Sequence, residues 1–194
     1  MKSIRLKACL VSVAALVVAS ASVVAATLEG QHFDDRVRLV NQELMLNGLG
    51  LRAIFFIKGY VAGLYLPEKA TSLREIAGMP GAKRLQLRML RKAEAEDFIE
   101  ALVEGIEENS SKSELVQLNA RIRQLQQTIQ AIGPSAVGDT INFDFAPGLG
   151  TTLTFNGAKR GSLIEGADFY NAVLKIFVGE HPVDERLKAG LLGK

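Results

Sequence analysis

The sequence is poor in residues on which several classes of protein depend. It has no tryptophan and a single cysteine among 194 residues. That residue, Cys9, precedes an apolar run near the N terminus, whereas a lipid-modified cysteine would follow such a run. If the N-terminal segment is removed, as we predict below, the remaining chain has no cysteine. This excludes disulfide bonds and thiol catalysis in the exported form.

The patterns of common catalytic sites are also missing. The two histidines, His32 and His181, lie far apart, and neither has a carboxylate at metal-ligand spacing. The sequence contains no Gly-x-Ser-x-Gly elbow and no Walker-type phosphate loop. Gly48-Leu49-Gly50 resembles part of a dinucleotide loop, but an apolar strand follows it where a helix is needed. We therefore predict no catalytic residue, no metal site and no cofactor.

The N-terminal segment has the pattern of a secretory signal peptide. Three basic residues, Lys2, Arg5 and Lys7, precede an apolar run that ends in Ala25-Ala26. A basic start, an apolar middle and a small-residue exit are typical of a cleaved signal. We predict a signal peptide over residues 1–26 and one domain over 27–194, in the periplasm or secreted. Cleavage after Ala25 and an uncleaved membrane anchor are the alternatives.

Removal of residues 1–26 changes the charge balance. It takes away three positive charges, which leaves 20 Lys and Arg against 21 Asp and Glu and a net charge of −1. A nucleic-acid partner therefore has no support in the composition.

One long apolar segment, Leu46–Leu66, is the centre of the predicted fold. It passes from a glycine turn into Leu51–Leu66, which is rich in β-branched and aromatic residues. Because this run is too uniformly apolar for a strand with one wet face, we predict a central strand buried on both faces and ended by Pro67. Gly59 and Gly63 are expected at bulges or where another element approaches closely.

The rest of the chain alternates between strand and helix patterns. The predicted elements are a strand pair or bent strand at Val37–Asn47, a short helix capped by Thr71 or Ser72, a half-exposed strand at Arg84–Leu90, helices at Ala93–Glu107 and from a Ser111–Glu114 capping box to Ile132, a three-strand meander with an Asn156-Gly157 hairpin, and helices at Ala167–Val178 and Asp184–Leu192. The tight hairpins and the absence of a βαβ rhythm indicate an α+β domain, with an antiparallel sheet covered on one side by helices.

Arg52 is the residue that the apolar segment least explains. A guanidinium in an apolar strand is costly unless it is paired. Either it forms a structural ion pair with an Asp or Glu, or it anchors a carboxylate or enolate at the mouth of an apolar pocket.

Several short motifs resemble a known family. Asn47-Gly48-Leu49-Gly50-Leu51-Arg52 with Tyr60–Leu66, the turns Pro147–Thr151 and Asn156-Gly157, and the closing segment Gly179–Lys188 resemble the chalcone isomerase-like proteins of the bacterial exported branch. The similarity covers about residues 28–193. It implies an open-faced β-sandwich, in which a large antiparallel sheet and a layer of helices enclose a cleft.

The resemblance also implies roles for particular residues. Arg52 matches the arginine that holds the phenolate in plant isomerases, while Tyr60 and Ile176 fall where two threonines are expected. The catalytic tyrosine and its asparagine have no match, and the helix that ends at Ile132 contains no tyrosine. In a fatty-acid-binding branch of the family, an arginine and a tyrosine hold the carboxylate. Arg52 and Tyr60 resemble that pair.

We therefore predict an exported non-catalytic protein that binds a fatty acid or similar amphipathic carboxylate through Arg52 and Tyr60. The alternatives are an isomerase or lyase acting on a phenolic or enone substrate, and a protein-interaction module without ligand. On one straight strand the two residues would lie roughly 26 Å apart, at about 3.3 Å per residue. A shared ligand would require the strand to bend or bulge near Lys58-Gly59. Otherwise Arg52 acts with a different partner, or the site has been lost.

Overall fold

The computed structural model describes residues 25–194. The predicted signal peptide therefore lies outside the described residues, apart from Ala25 and Ala26. These two residues belong to the first strand, where they pair with Asp34 and Phe33.

Within residues 25–194 the chain forms nine strands and five helices. The elements are β1 (Ala25–Leu28), β2 (Gln31–Asp34), β3 (Arg36–Leu39), β4 (Gln42–Ile54), β5 (Ile57–Leu66), α1 (Leu73–Gly78), β6 (Lys83–Met89), α2 (Ala95–Glu108), α3 (Lys112–Ile132), β7 (Thr140–Ala146), β8 (Gly150–Phe155), β9 (Ala158–Ile164), α4 (Ala167–Val178) and α5 (Glu185–Leu191).

The sheet is a simple antiparallel meander. Strands β3 to β9 lie side by side in chain order, and β1 and β2 form a separate two-stranded hairpin. The main core lies between one face of this sheet and the inner faces of α2, α3 and α4, where Phe143, Phe169 and Phe177 are fully or almost fully buried. The predicted α+β architecture, with helices over an antiparallel sheet, is confirmed.

Local signals in the sequence fix several element ends. The Ser111 hydroxyl accepts from the Glu114 amide at 3.3 Å, and the Glu114 carboxylate accepts from the Ser111 amide at 2.7 Å. These two bonds are the predicted capping box at the start of α3. The predicted Asn156-Gly157 hairpin joins β8 to β9, and both turn residues have positive φ, as a tight two-residue turn of this kind requires.

The Leu51–Leu66 segment is not one strand, so that prediction was wrong. It is a β-hairpin in which β4 and β5 meet at the two-residue turn Phe55-Phe56. The run contains no Asn, Asp or Pro to indicate a turn, and its tip is exposed although it is apolar. The uniform hydrophobicity of the run therefore predicts burial correctly for most of β5, but wrongly for the tip of the hairpin.

The two glycines of β5 have the roles that the sequence predicts. Arg52 pairs with Tyr60 and Ala53 with Lys58, which leaves Gly59 as the extra residue of a bulge. A Cβ at Gly63 would lie 2.7 Å from a ring carbon of Phe33, so β2 can approach the sheet there only because the side chain is absent.

The prediction that Arg84–Leu90 is half exposed was also wrong. Strand β6 lies in the middle of the sheet, and its polar side chains are paired across strands. Arg84 binds the Asp144 carboxylate with two nitrogens, at 2.6 and 2.7 Å, and Gln86 donates to Asn142 at 2.9 Å. The guanidinium of Arg88 lies over the Phe33 ring, 5.2 Å from its centre.

A second, smaller core covers part of the other face of the sheet, on which Arg84 and Arg88 lie opposite Tyr65 and Val61. Its buried members are Phe33, Leu44, Leu46, Val61, Tyr65 and Ala82. Because successive residues of a strand point to opposite faces, Val61 and Tyr65 belong to this core, and Ala62, Leu64 and Leu66 belong to the main one.

Candidate functional site

The β4–β5 hairpin places Arg52 and Tyr60 side by side. They are direct cross-strand partners, and such pairs have Cα atoms about 4.5–5.5 Å apart. The separation of roughly 26 Å expected for a straight strand is therefore wrong. The chain reverses at Phe55-Phe56, four residues before Tyr60, and not at Lys58-Gly59. One small group can contact both side chains.

Both residues line a cavity of about 310 Å³. It lies between the β4–β5 hairpin, the end of β6, and helices α2 and α4, and its volume is at the lower end of the range of about 300–1,000 Å³ typical of ligand pockets. Most of its wall is apolar, and the large apolar residues in it are Ile54, Ile57, Met89, Phe98, Leu102, Ile176 and Phe177. Helix α3 supplies no lining residue.

The charges of the lining are predominantly positive. Arg52, Arg91 and Lys92 lie in the wall against a single carboxylate, Asp97. Lys92 is also paired with Glu94 at 2.6 Å. No sequence pattern indicates Arg91 or Lys92 as site residues, because two exposed cations after a strand are not distinctive.

Arg52 has a protein partner that the sequence analysis did not name. Its Nη1 lies 3.5 Å from the Asp184 carboxylate and 3.4 Å from the carbonyl oxygen of Ala53. Asp184 is the N-cap of α5, and its other oxygen accepts from the amides of Arg186 and Leu187 at 2.8 and 3.0 Å. A structural ion pair is thus present, as one of the two hypotheses for Arg52 requires.

That ion pair leaves much of the guanidinium free. It is a single long contact between side chains that are 22% and 14% exposed. An arginine carries five N–H donors, and in residues 25–194 only Nη1 of Arg52 forms hydrogen bonds. Nε and Nη2 can therefore donate to a second anion.

Tyr60 supplies a neutral hydroxyl on the same face. Burial raises the pKa of Tyr60 far above its ordinary value, although the nearby Arg52 charge lowers it in part and Asp184 adds to the rise. The hydroxyl therefore keeps its proton throughout the physiological range and acts as a donor. Tyr65, five residues further along β5, points to the opposite face and belongs to the second core.

Ile176 is the third residue placed by the family resemblance. It lies on α4, is buried, and forms part of the cavity wall. The lining contains one tyrosine, Tyr60, and neither threonine nor asparagine. Arg52 and Tyr60 are therefore the polar side chains that the β4–β5 hairpin contributes to the cavity, and Arg91, Lys92 and Asp97 are the others.

A family model described as chalcone isomerase-like matches residues 25–193. The chain belongs to the chalcone isomerase-like family. Among solved structures, the crystal structure of a fatty-acid binding protein of Arabidopsis thaliana is similar in fold, with a TM-score of 0.65. The two sequences are 15% identical, and the match covers 87% of this chain and 95% of the plant protein. No curated protein matches this chain in sequence.

The described part of the chain, residues 25–194, contains no group of three or more His, Cys, Asp or Glu side chains placed to hold a metal ion. It also contains no helix with the length and hydropathy needed to span a bilayer.

Proposed function

We propose that this chalcone isomerase-like protein is an exported, non-catalytic binding protein that holds a fatty acid or similar amphipathic carboxylate. One observation carries the proposal. Arg52 and Tyr60 lie next to each other in the wall of an apolar cavity of about 310 Å³. This arrangement combines an anion-binding end with a water-excluding interior, which matches an amphipathic acid.

The carboxylate binds at the hairpin end of the cavity. Nε and Nη2 of Arg52 are free among the described residues, and an arginine fork suits the two oxygens of a carboxylate. The Tyr60 hydroxyl donates a further hydrogen bond. Asp184 weakens this site, since it lies 3.5 Å from Nη1 of Arg52 and competes for the same charge.

The apolar tail extends along the wall formed by α2 and α4. Phe98 and Leu102 come from α2, and Ile176 and Phe177 come from α4. Each methylene transferred from water to such a wall contributes about 0.8 kcal/mol. Affinity is therefore expected to rise with chain length until the cavity is filled.

The comparison with known structures supports this choice of ligand class. The similar plant structure is that of a fatty-acid binding protein, and we extend that property to this chain only as part of the proposal. The cavity wall gives no comparable support to an isomerase, since it has no second hydroxyl or amide beside Tyr60. An interaction module with a filled core does not account for a cavity beside Arg52.

Export is the second component of the proposal. It rests on the N-terminal sequence, in which basic residues precede an apolar run ending at Ala25-Ala26. Periplasmic fractionation combined with the intact mass of the isolated protein tests it. Recovery of the unprocessed chain from the cytoplasm would contradict it.

Native mass spectrometry of the protein isolated from its host tests the binding function. We expect a copurifying mass that corresponds to an aliphatic acid and that is lost or greatly reduced in Arg52→Ala. The matched control is Arg160→Ala, since Arg160 is an exposed cation on β9 away from the cavity. A protein without bound lipid, together with unchanged binding of added fatty acid in Arg52→Ala, would refute the proposal.

A further inference from the structure

The tip of the β4–β5 hairpin exposes the largest contiguous apolar side chains among residues 25–194. Ile54, Phe55, Phe56 and Ile57 are 55%, 94%, 98% and 54% exposed. The other exposed large apolar residues of this part of the chain stand singly in sequence, as is normal on protein surfaces. Four consecutive ones at a protruding turn need a separate explanation.

The backbone of the tip is also unfavourable for its sequence. Phe55 has a φ of 53°, in the left-handed region that bulky residues avoid. Two-residue hairpin turns favour Gly, Asn or Asp at such positions. The Phe55-Phe56 turn therefore has both an unfavourable backbone conformation for its residue type and apolar side chains exposed to water. Such departures from local preference concentrate at functional sites.

The surroundings of the tip favour an anionic partner. Arg91 shares the cavity wall with Ile54 and Ile57, and Arg186 shares a groove with Phe55 and Phe56 on the other side of the hairpin. Within residues 25–194, neither guanidinium group has a carboxylate oxygen within 4.0 Å, although the backbone amide of Arg186 donates to Asp184.

The carboxylates of the same region are mostly neutralised. Glu29 is paired with Lys58 at 2.5 Å, Asp184 with Arg52 at 3.5 Å, and Glu185 with Lys188 at 3.8 Å. Asp97, in the cavity wall, is the exception among them. Unpaired positive charge thus flanks the aromatic tip on both sides.

The size of the patch distinguishes a lipid surface from a protein surface. A stable protein interface engages about 20–30 residues on each side, whereas this patch consists of four side chains on one turn. A membrane interface accepts small aromatic and aliphatic anchors that are flanked by basic residues, and it requires no shape complementarity.

We propose that the Ile54–Ile57 tip inserts into the interfacial region of an anionic phospholipid bilayer. Phe55 and Phe56 enter the boundary between head groups and acyl chains, while Arg91 and Arg186 contact the lipid phosphates. The part of the cavity wall formed by Ile54 and Ile57 then lies at the lipid surface. Because two aromatic side chains bury little area, binding is reversible and of the order of that of a single myristoyl chain, about 10⁴ M⁻¹. The proposal holds whether or not the cavity binds a fatty acid.

Vesicle cosedimentation tests the proposal with the chain as isolated from the producing cell, its N terminus established by intact mass. Vesicles of phosphatidylethanolamine with phosphatidylglycerol are compared with vesicles of phosphatidylcholine alone. We expect the unaltered chain to bind the anionic vesicles more tightly, and Phe55→Gly/Phe56→Ser to lower that binding at least about tenfold. Val116→Ser is the control, since Val116 is a singly exposed apolar residue on α3. It should bind as the unaltered chain does.

A second variant tests the charges, and a third places a reporter at the tip. Arg91→Gln/Arg186→Gln should weaken binding to the anionic vesicles and leave the phosphatidylcholine result unchanged. Because the chain has no tryptophan, Phe56→Trp introduces a single fluorophore whose emission should shift to the blue when anionic vesicles are added. Val116→Trp should not shift.

Three results would overturn the proposal. One is no vesicle binding by the unaltered chain, and another is equal binding by Phe55→Gly/Phe56→Ser. The third is that Phe55→Gly/Phe56→Ser abolishes self-association or binding to another protein, while neither this variant nor the arginine variant changes vesicle binding. That outcome would assign the tip to a second copy of the chain or to a protein partner.

Discussion

The β4–β5 and β8–β9 hairpins lie in the same sheet, and both are closed by two-residue turns. The turn residues of one suit a tight turn, and those of the other do not. At β8–β9 the turn is Asn156-Gly157, with φ values of 50° and 79°. The Asn156 carboxamide also accepts from the Thr140 amide and donates to Asp139, both at 2.8 Å. At β4–β5 the turn is Phe55-Phe56, which has neither a favoured residue nor burial.

We attribute this difference to the roles proposed for the two turns, one structural and one functional. Asn156-Gly157 satisfies its backbone locally and needs nothing from outside the molecule. Phe55-Phe56 is unfavourable in water because of its backbone conformation and its exposed apolar side chains, and it lies on the hairpin that carries Arg52 and Tyr60 into the cavity wall. A hairpin that serves only to close the sheet gains nothing from such a turn.

The largest effect is expected from placing the unfavourable turn in the structural hairpin. Asn156→Phe/Gly157→Phe puts bulky residues at two positive-φ positions and removes two side-chain hydrogen bonds. The free energy of unfolding should fall by about 3 kcal/mol, measured by urea denaturation. A loss below about 1 kcal/mol would show that the turn residues do not define this hairpin.

The second effect compares one arginine from each hairpin. Arg52→Gln removes the charged donor from the cavity and should weaken fatty-acid binding by about 2 kcal/mol, roughly 30-fold. Arg160→Gln, on β9, should leave the affinity unchanged. Isothermal titration measures both, and equal affinities for the two variants would remove the functional assignment of the β4–β5 hairpin.

The third effect is a gain in stability. Phe55→Gly/Phe56→Ser gives the β4–β5 turn the residues that its backbone favours, so the free energy of unfolding should rise by about 1 kcal/mol. The same variant is expected to lose vesicle binding. A decrease in the urea midpoint would mean that the two phenylalanines stabilise the fold through contacts, and the contrast between the hairpins would fail.

The fourth effect, similar in size to the third, concerns Asp184, which we propose competes with the ligand for Arg52. Asp184→Asn keeps an N-cap side chain for α5 but removes the negative charge next to Arg52. The affinity for a fatty acid should increase by about 1 kcal/mol, roughly fivefold. Titration with the same ligand checks this, and an unchanged or lower affinity would show that Asp184 positions Arg52 and does not compete with the ligand.

The sequence predicts the parts of the fold that depend on neighbouring residues. The Ser111–Glu114 capping box and the Asn156-Gly157 turn act over one to three residues, and the helix predicted at Ala167–Val178 has those bounds in the structure. The three-strand meander was predicted for the same reason. The chalcone isomerase-like family was inferred from the order of several modest motifs together.

The parts that the sequence did not predict depend on tertiary contacts. The turn at Phe55-Phe56 contains none of the Gly, Asn or Asp residues that two-residue turns favour. The sequence therefore predicts one strand where the structure has a hairpin. Asp184 is 132 residues from Arg52 in sequence, and no local pattern links them. The second face of β6 is covered because Phe33, on a separate hairpin, packs against the sheet. The resemblance named Arg52 and Tyr60 as a pair but left open whether they meet. The hairpin places them side by side, and their role as a ligand site remains a prediction.

Whether Arg52 holds a carboxylate is tested by the preference for a long-chain fatty acid over its methyl ester, measured by isothermal titration on the unaltered chain and on Arg52→Gln. The two ligands share the apolar tail and differ in the charge that Arg52 is proposed to hold. We expect the unaltered chain to bind the acid at least about tenfold more tightly, and Arg52→Gln to bind acid and ester equally. Equal binding of acid and ester by the unaltered chain, or a preference that persists in Arg52→Gln, would contradict the account.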